Sequence, residues 1–326
     1  MKPLDLTGAV VIVTGAARGI GQATAAAFTT AGATVHPADL DPTPSAAPTA
    51  PNPTSTAQAR SNTHQPPAHP SLNTHPTPSN SGDGNATTAE AHAGQQQTRP
   101  TPAVRQLDVT SRDSFKQFVD DVLDQHGRID VLVNNAGVMP LGSFLDEDDA
   151  ISRATLDVNV WGLIHGMRLV LPGMLANRHG HIVNIASMAG KIPFPGMAVY
   201  NASKYAAVGL TAAVRRELHG TGVTASAVLP SAVRTSLSSG VRLGGILPTV
   251  DPEDVAAAVL RTCRTRQPEL AVPRWLGGWK LLDGLVPSTV MAHARRLAGD
   301  DRGLYADPAA RASYTERVST FSTSRH

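Results

Sequence analysis

Two residues in the stretch VYNASKYAAVG (199–209) could move a proton together. Tyr200 and Lys204 stand four apart among Ala, Val and Gly. On a helix, positions i and i+4 share a face, so the phenol and the ammonium can reach a common point; Tyr205, adjacent to the lysine, cannot. The chain holds 23 Arg and only 5 Lys, so a lysine at this position is a chemical choice. Its ammonium is a compact charge with three rotatable donors, whereas the planar fork of arginine suits carboxylates and phosphates. A free phenol, with a pKa of about 10, is a poor base at neutral pH, and a neighbouring cation favours its ionised form. Ser187 closes the apolar run GHIVNIAS (180–187), 13 residues before Tyr200, and Asn159 interrupts the apolar face of LDVNVWG with one amide.

A second set of residues could hold an anionic ligand. In VTGAARGIG (13–21), Gly15, Gly19 and Gly21 flank Arg18 and Ile20 where the apolar run AVVIVT (9–14) gives way to the helical pattern GIGQATAAAFTTAG (19–32). Glycines at such a junction permit a tight turn and close approach of the backbone to a pyrophosphate, whose charge sits at the positive end of the helix. The spacing is G-x3-G-x-G rather than G-x-G-x-x-G, so its position after the first strand strengthens the reading. Asp39 lies 20 residues past Gly19 at the end of the second apolar run. A carboxylate there accepts hydrogen bonds from ribose hydroxyls and repels a 2′-phosphate, which favours NAD over NADP. Arg18 argues the other way, since a guanidinium can pair with that phosphate, so NADP stays possible.

These residues need a frame, and the chain supplies one. From Pro42 to Ala103, Pro, Thr, Ser, Asn, Gln and His dominate and Leu72 is the single large apolar residue. Such a segment cannot bury enough surface to offset its ordering entropy and reads as a disordered insert. Its His64, His69, His75 and His92 are irregularly spaced, which favours a solvated linker over a metal site. Outside it, apolar runs at 9–14, 33–39, 104–109, 129–135, 180–187, 223–230 and 269–273 alternate with helical patterns, among them 111–126, one long region over 147–177 and one after Asp251. Strands apolar on both faces alternating with helices imply a parallel sheet covered on both sides, an α/β doubly wound fold. The expected organisation is 1–41 and 104–273 as one Rossmann domain, 42–103 as insert and 274–326 as a helical extension or lid.

Composition narrows the class. The formal charge of +2, with no sustained basic run, gives no reason to expect nucleic acid. A single cysteine, Cys263, excludes an intrachain disulfide framework and suits a reducing compartment; it reads as a small apolar helix residue. The first apolar run lacks a cleavage pattern and no run is long enough to span a bilayer, so a cytoplasmic protein is expected.

Taken in order, TGAARGIG, the DV at 108–109, NNAG at 134–137, Asn159, Ser187, and Tyr200 with Lys204 resemble the short-chain dehydrogenase/reductase superfamily over nearly the whole chain outside the insert and the last fifty or so residues. The resemblance implies a seven-stranded, mainly parallel Rossmann sheet and a homodimer or homotetramer built on the long helices before and after the fifth strand. It makes Tyr200 the general acid/base, with Ser187 holding the substrate oxygen. Lys204 would bind the nicotinamide ribose and lower the tyrosine pKa, and Asn159 would support a water-linked proton relay. It also implies that Asp108 and Val109 contact the adenine, that Asn135, Ala136 and Gly137 line the adenosine side, and that Val233 and Thr235 contact the carboxamide; Asn134 could equally serve to tie strands together. Ser231 replaces the glycine of the usual P-G-x-V-x-T turn, which puts that turn in question. The insert stands where the family has a helix, which would leave that side of the sheet partly uncovered.

Substrate choice should rest on MPLGSF (139–144), MAGKIPFPGM (188–197), SLSSGVRLGGILPT (236–249) and the tail. Their Met, Phe, Leu and Ile suit a lipophilic secondary alcohol or ketone, with Lys191 and Arg234 as solvated charges or anchors. The segment at 275–299 could cover the site, pack on a subunit or rest on a membrane; Gly277, Gly278 and Pro287 disfavour the membrane. The expected activity is oxidation or reduction with a nicotinamide cofactor. A catalytically silent nucleotide-binding scaffold or sensor is the alternative, and an epimerase or dehydratase a weaker third.

Overall fold

Seven strands pair in parallel in the computed structural model, which describes residues 3–43, 102–241, 248–278, 304 and 307–323. They are β1 (Val10–Thr14), β2 (Thr34–Asp39), β3 (Arg105–Gln106), β4 (Val131–Asn134), β5 (Gly180–Ile185), β6 (Val223–Pro230) and β9 (Glu269–Val272). Their order is β3-β2-β1-β4-β5-β6-β9. The chain reverses direction across the sheet between β1 and β4, and open α/β sheets bind ligands outside the carboxyl ends of the strands at that switch. A small second sheet pairs β7 (Ala232–Val233) with β8 (Thr249–Val250).

The sheet is covered on both faces because its strands alternate with a period of two between two cores. Val10 and Ile12 of β1 face one core, with Phe115 and Val119 of α2 (Arg112–His126), Met167 and Val170 of α4 (Gly162–Ala176) and Ala207 of α5 (Ala198–Glu217). Val11 and Val13 face the other, with Phe28 of α1 (Gly19–Thr30) and Val255, Val259 and Cys263 of α6 (Pro252–Thr265). Cys263 is thus a buried core residue.

Two elements differ from the sequence reading. The third strand is two residues long instead of spanning 104–109, because the Asp108 carboxylate accepts from the Thr110 N–H at 2.9 Å and turns the chain. The single helix expected over 147–177 is divided: α3 (Asp149–Leu156) passes through a π turn at Asp157–Trp161 into α4. A further helix, α7 (Pro308–Thr323), follows near the end of the chain. Among the described residues no helix is long and apolar enough to cross a membrane. Most of the expected insert (44–101), the four histidines within it, and 279–299 of the tail segment lie outside the described residues.

Candidate active site

The glycine turn joins β1 to α1 at the switch. Gly15 and Gly19 have φ of +64° and +53°, which side-chain-bearing residues rarely adopt. Gly21 is required for a different reason: a Cβ there would stand 2.0 Å from the Gly15 carbonyl oxygen and 2.5 Å from Asn135 Nδ2. Asn135 Nδ2 donates to the carbonyls of Thr14 and Gly15, each at 2.9 Å, while the Thr14 hydroxyl accepts from the N–H groups of Asn135 and Ala136. The loop after β4 is therefore laced to the turn after β1. No side chain caps the start of α1 and its first turn has no acidic residue, so its unpaired N–H groups are left for an anion.

Asp39 lies at the edge of this turn, its Oδ2 accepting from Ala17 N–H at 3.0 Å. Arg18 pairs with Asp41 at 3.3 Å, a partner the sequence reading missed. Asn134 donates to Asn184 at 2.9 Å, and Asn184 donates to Thr211 at 2.8 Å, so Asn134 does tie β4 to β5.

Ser187 lies two residues beyond the end of β5, where its hydroxyl accepts from Ala189 N–H at 3.1 Å and starts a short 3-10 turn, Met188–Gly190. A Cβ on Gly190 would lie 2.6 Å from the Lys204 carbonyl oxygen, so this turn sits directly on α5. Tyr200 and Lys204 face the same cleft, as the i, i+4 spacing requires, with Nζ 5.7 Å from the phenol ring centroid. Both are 5% exposed. Lys204 Nζ donates to the Ile185 carbonyl at 3.0 Å.

Burial governs the ionisation of both groups. It pushes the Tyr200 phenol up to about 12, against the opposing hydrogen bond with Ser187, and the Tyr314 phenol adds to the rise. It pulls the Lys204 ammonium down to about 8. Each group loses its hydration in the same pocket, and that loss opposes the charged form of both.

Asn159 is fully buried in the π turn. Its side chain accepts from Val138 N–H and donates to the Val138 carbonyl and the Ser203 hydroxyl, all at 2.9 Å, and Ser203 donates to the Tyr200 carbonyl at 2.7 Å. The wider turn brings the amide to these partners, and three hydrogen bonds offset its poorer helical geometry. Of the residues expected from the sequence, all but Gly21 and Asn159 border one cleft of about 410 Å³. Gly21 is packed behind Gly15, and Asn159 acts from behind the wall, on Val138 and through Ser203. Ser203 gave no signal in the sequence beyond its helical position.

At the other end of the cleft, Met139, Ala189 and Tyr200 form an apolar cluster with Leu141, Phe194, Met197, Leu237 and Val241. Lys191 and Arg234 lie outside it, held by Glu269 at 3.0 Å and Asp251 at 2.6 Å. Ser231 needs no glycine conformation: its backbone has no positive φ, and its hydroxyl donates to the Pro248 carbonyl at 2.5 Å. Tyr314, Arg317 and Val318 of α7 also line the cleft; they fall within the 274–326 stretch expected as a helical extension or lid, though none of them was singled out in the sequence. Their signal was the spacing of Arg311, Tyr314 and Val318, which lie on one helical face.

This geometry has relatives. The profile of the short chain dehydrogenase family matches residues 80–244. The chain is 31% identical to a 3-oxoacyl-acyl-carrier-protein reductase of Thermotoga maritima over 72% of its own length and 78% of that protein. It is 38% identical to an uncharacterized oxidoreductase of Staphylococcus saprophyticus over 43% of its length and 57% of that protein. The chain spans about three fifths of the length of several curated relatives it matches. Among solved structures, a metagenomic short-chain oxidoreductase in complex with NADP superposes with a TM-score of 0.57 at 26% identity, over 82% of this chain and 98% of that one. With the Rossmann sheet, the glycine turn and the Tyr200–Lys204 pair in place, these matches establish that the chain belongs to the short-chain dehydrogenase family.

Proposed function

We propose that the protein is a nicotinamide-dependent oxidoreductase that interconverts a lipophilic secondary alcohol and its ketone. The observation that carries this reading is that Ser187, Tyr200 and Lys204 border the same cleft as Gly15 and Gly19. The residues present fit a dinucleotide: positive-φ glycines, an uncapped helix start and a carboxylate at the edge of the turn suit pyrophosphate and ribose. A bound nicotinamide would supply or accept the hydride at its C4 carbon. Ser187 and Tyr200 would hold the substrate oxygen between two hydroxyls. Tyr200, protonated throughout the neutral range at a pKa of about 12, would give its proton to the oxygen of a ketone as negative charge develops there. In the reverse direction it must first lose that proton, so alcohol oxidation should rise steadily with pH while ketone reduction holds level through neutrality.

The pairing of Arg18 with Asp41 supports NAD over NADP, since it neutralises the guanidinium that would welcome a 2′-phosphate. The apolar cluster around Tyr200 supports a lipophilic substrate. Trp161 in the π turn, Leu175 on α4 and Tyr205 on α5 are exposed apolar side chains on the helices before and after β5, which supports a homo-oligomer built on those helices. The experiment is a screen of steroids, long-chain alcohols, sugars and cyclic ketones with each dinucleotide, followed through NADH or NADPH absorbance. Tyr200→Phe should abolish turnover and leave NADH binding near wild type; substantial residual turnover would remove Tyr200 from the chemistry.

A further inference from the structure

Arg311 is a buried cation, 5% exposed, whose guanidinium Nη atoms donate to three backbone carbonyls. Nη1 donates to Leu237 at 3.1 Å and Ser239 at 3.0 Å, and Nη2 donates to Met139. One guanidinium thus joins the loop after β4 to the loop after β7, two segments almost a hundred residues apart. The planar fork makes this possible; a lysine has a single point of attachment. One helical turn on, Tyr314 accepts the Met139 N–H at 2.6 Å, and its ring lies 4.5 Å beneath the Arg311 guanidinium. The start of α7 is seated independently: Asp307 N–H donates to the Gly240 carbonyl at 2.9 Å, and a Cβ on Gly240 would stand 2.7 Å from the Asp307 carbonyl oxygen. Val318, on the same face, packs with Val138, Tyr314 and Leu237.

We infer that Tyr314 is a specificity-determining residue, the wall that limits the bulk of what reaches Tyr200, and that Arg311 is the positioning residue that fixes this wall by fastening both loops to α7. The inference rests on the proposed reaction at Tyr200 for its substrate arm. Tyr314 borders the cleft beside the apolar cluster that surrounds Tyr200, and its phenol is close enough to add to the rise of the Tyr200 pKa. Its hydroxyl uses a lone pair on Met139 N–H, which leaves its own hydrogen to donate to a polar group on the substrate.

The test uses the full chain, with cyclohexanone as the small ketone and benzophenone as the bulky one. Tyr314→Ala should raise the ratio of kcat/KM for benzophenone over cyclohexanone about tenfold, mainly through KM, while NADH affinity stays within about twofold, a split of roughly 1.4 kcal/mol. A merely structural role would lower both ketones alike, and an unchanged ratio overturns the inference. If the wild-type chain reduces neither ketone, the substrate reading fails by itself and amide exchange judges the rest. Arg311→Ala should then speed exchange in residues 139–144 and 236–241 together and leave α5 unchanged. Acceleration in only one loop, or in neither, overturns the fastening role. Should that variant not fold, Arg311→Lys carries the same expectation, because it keeps the charge and loses the fork.

Discussion

Replacing Lys204 by Met should make the folded protein more stable while removing its activity. The ammonium is 5% exposed and lies at about 8 instead of 10.5 because burial strips its hydration. That gap corresponds to about 3 kcal/mol at neutral pH, at about 1.36 kcal/mol per tenfold change in acidity. The folded pKa lies below the unfolded one, so between about pH 8 and 10.5 the unfolded chain binds more protons than the native state. Stability from this group is therefore lowest below that window, rises with pH through it, and levels off above it. Methionine has a similar length and no charge. It also loses the hydrogen bond to the Ile185 carbonyl, worth about 1 kcal/mol. The net gain is then about 2 kcal/mol at pH 7, a rise in Tm of roughly 4–8 °C for a domain of this size. Thermal and urea melts of both proteins, at neutral pH and again above the lysine's unfolded pKa, measure it. A variant less stable than wild type at pH 7, or a difference that does not shrink at the higher pH, would refute the argument that an unhydrated ammonium strains this site.

Gly21→Ala should weaken NADH binding more than tenfold in a fluorescence titration and destabilise the fold by about 1–3 kcal/mol, because its Cβ would press on the Gly15 carbonyl at 2.0 Å and force the turn open. Asn159→Ala leaves both Val138 backbone groups and the Ser203 hydroxyl without their amide partner. Urea denaturation should show a loss of about 2–4 kcal/mol. Asp39→Ser removes the carboxylate from the turn, and the ratio of NAD to NADP use, measured as kcat/KM, should fall about tenfold, or about 1.4 kcal/mol; an unaltered ratio would leave Asp39 no part in cofactor choice.

Local pattern made much of this protein legible before any coordinates. The strand and helix periods of AVVIVT and GIGQATAAAFTTAG depend only on which residues share a face, so the order of elements and the parallel sheet could be read directly. For the same reason Tyr200 and Lys204 had to face one point, and the turn containing Gly15 and Gly19 had to sit at the start of α1. Other features depend on neighbours distant in sequence. The π turn forms where Asn159 finds Val138 and Ser203, partners 21 and 44 residues away. Arg18 meets Asp41 only when the chain folds back at the end of β2. A helical tail was expected, but which of its residues reach the cleft was hidden, because Tyr314 meets Met139 across 175 residues. The ionisation of the central pair also depended on the fold: spacing placed a cation beside a phenol, but the depth at which both are buried set how much hydration each loses. Desolvation is a property of the packed surroundings, and a linear sequence does not contain it.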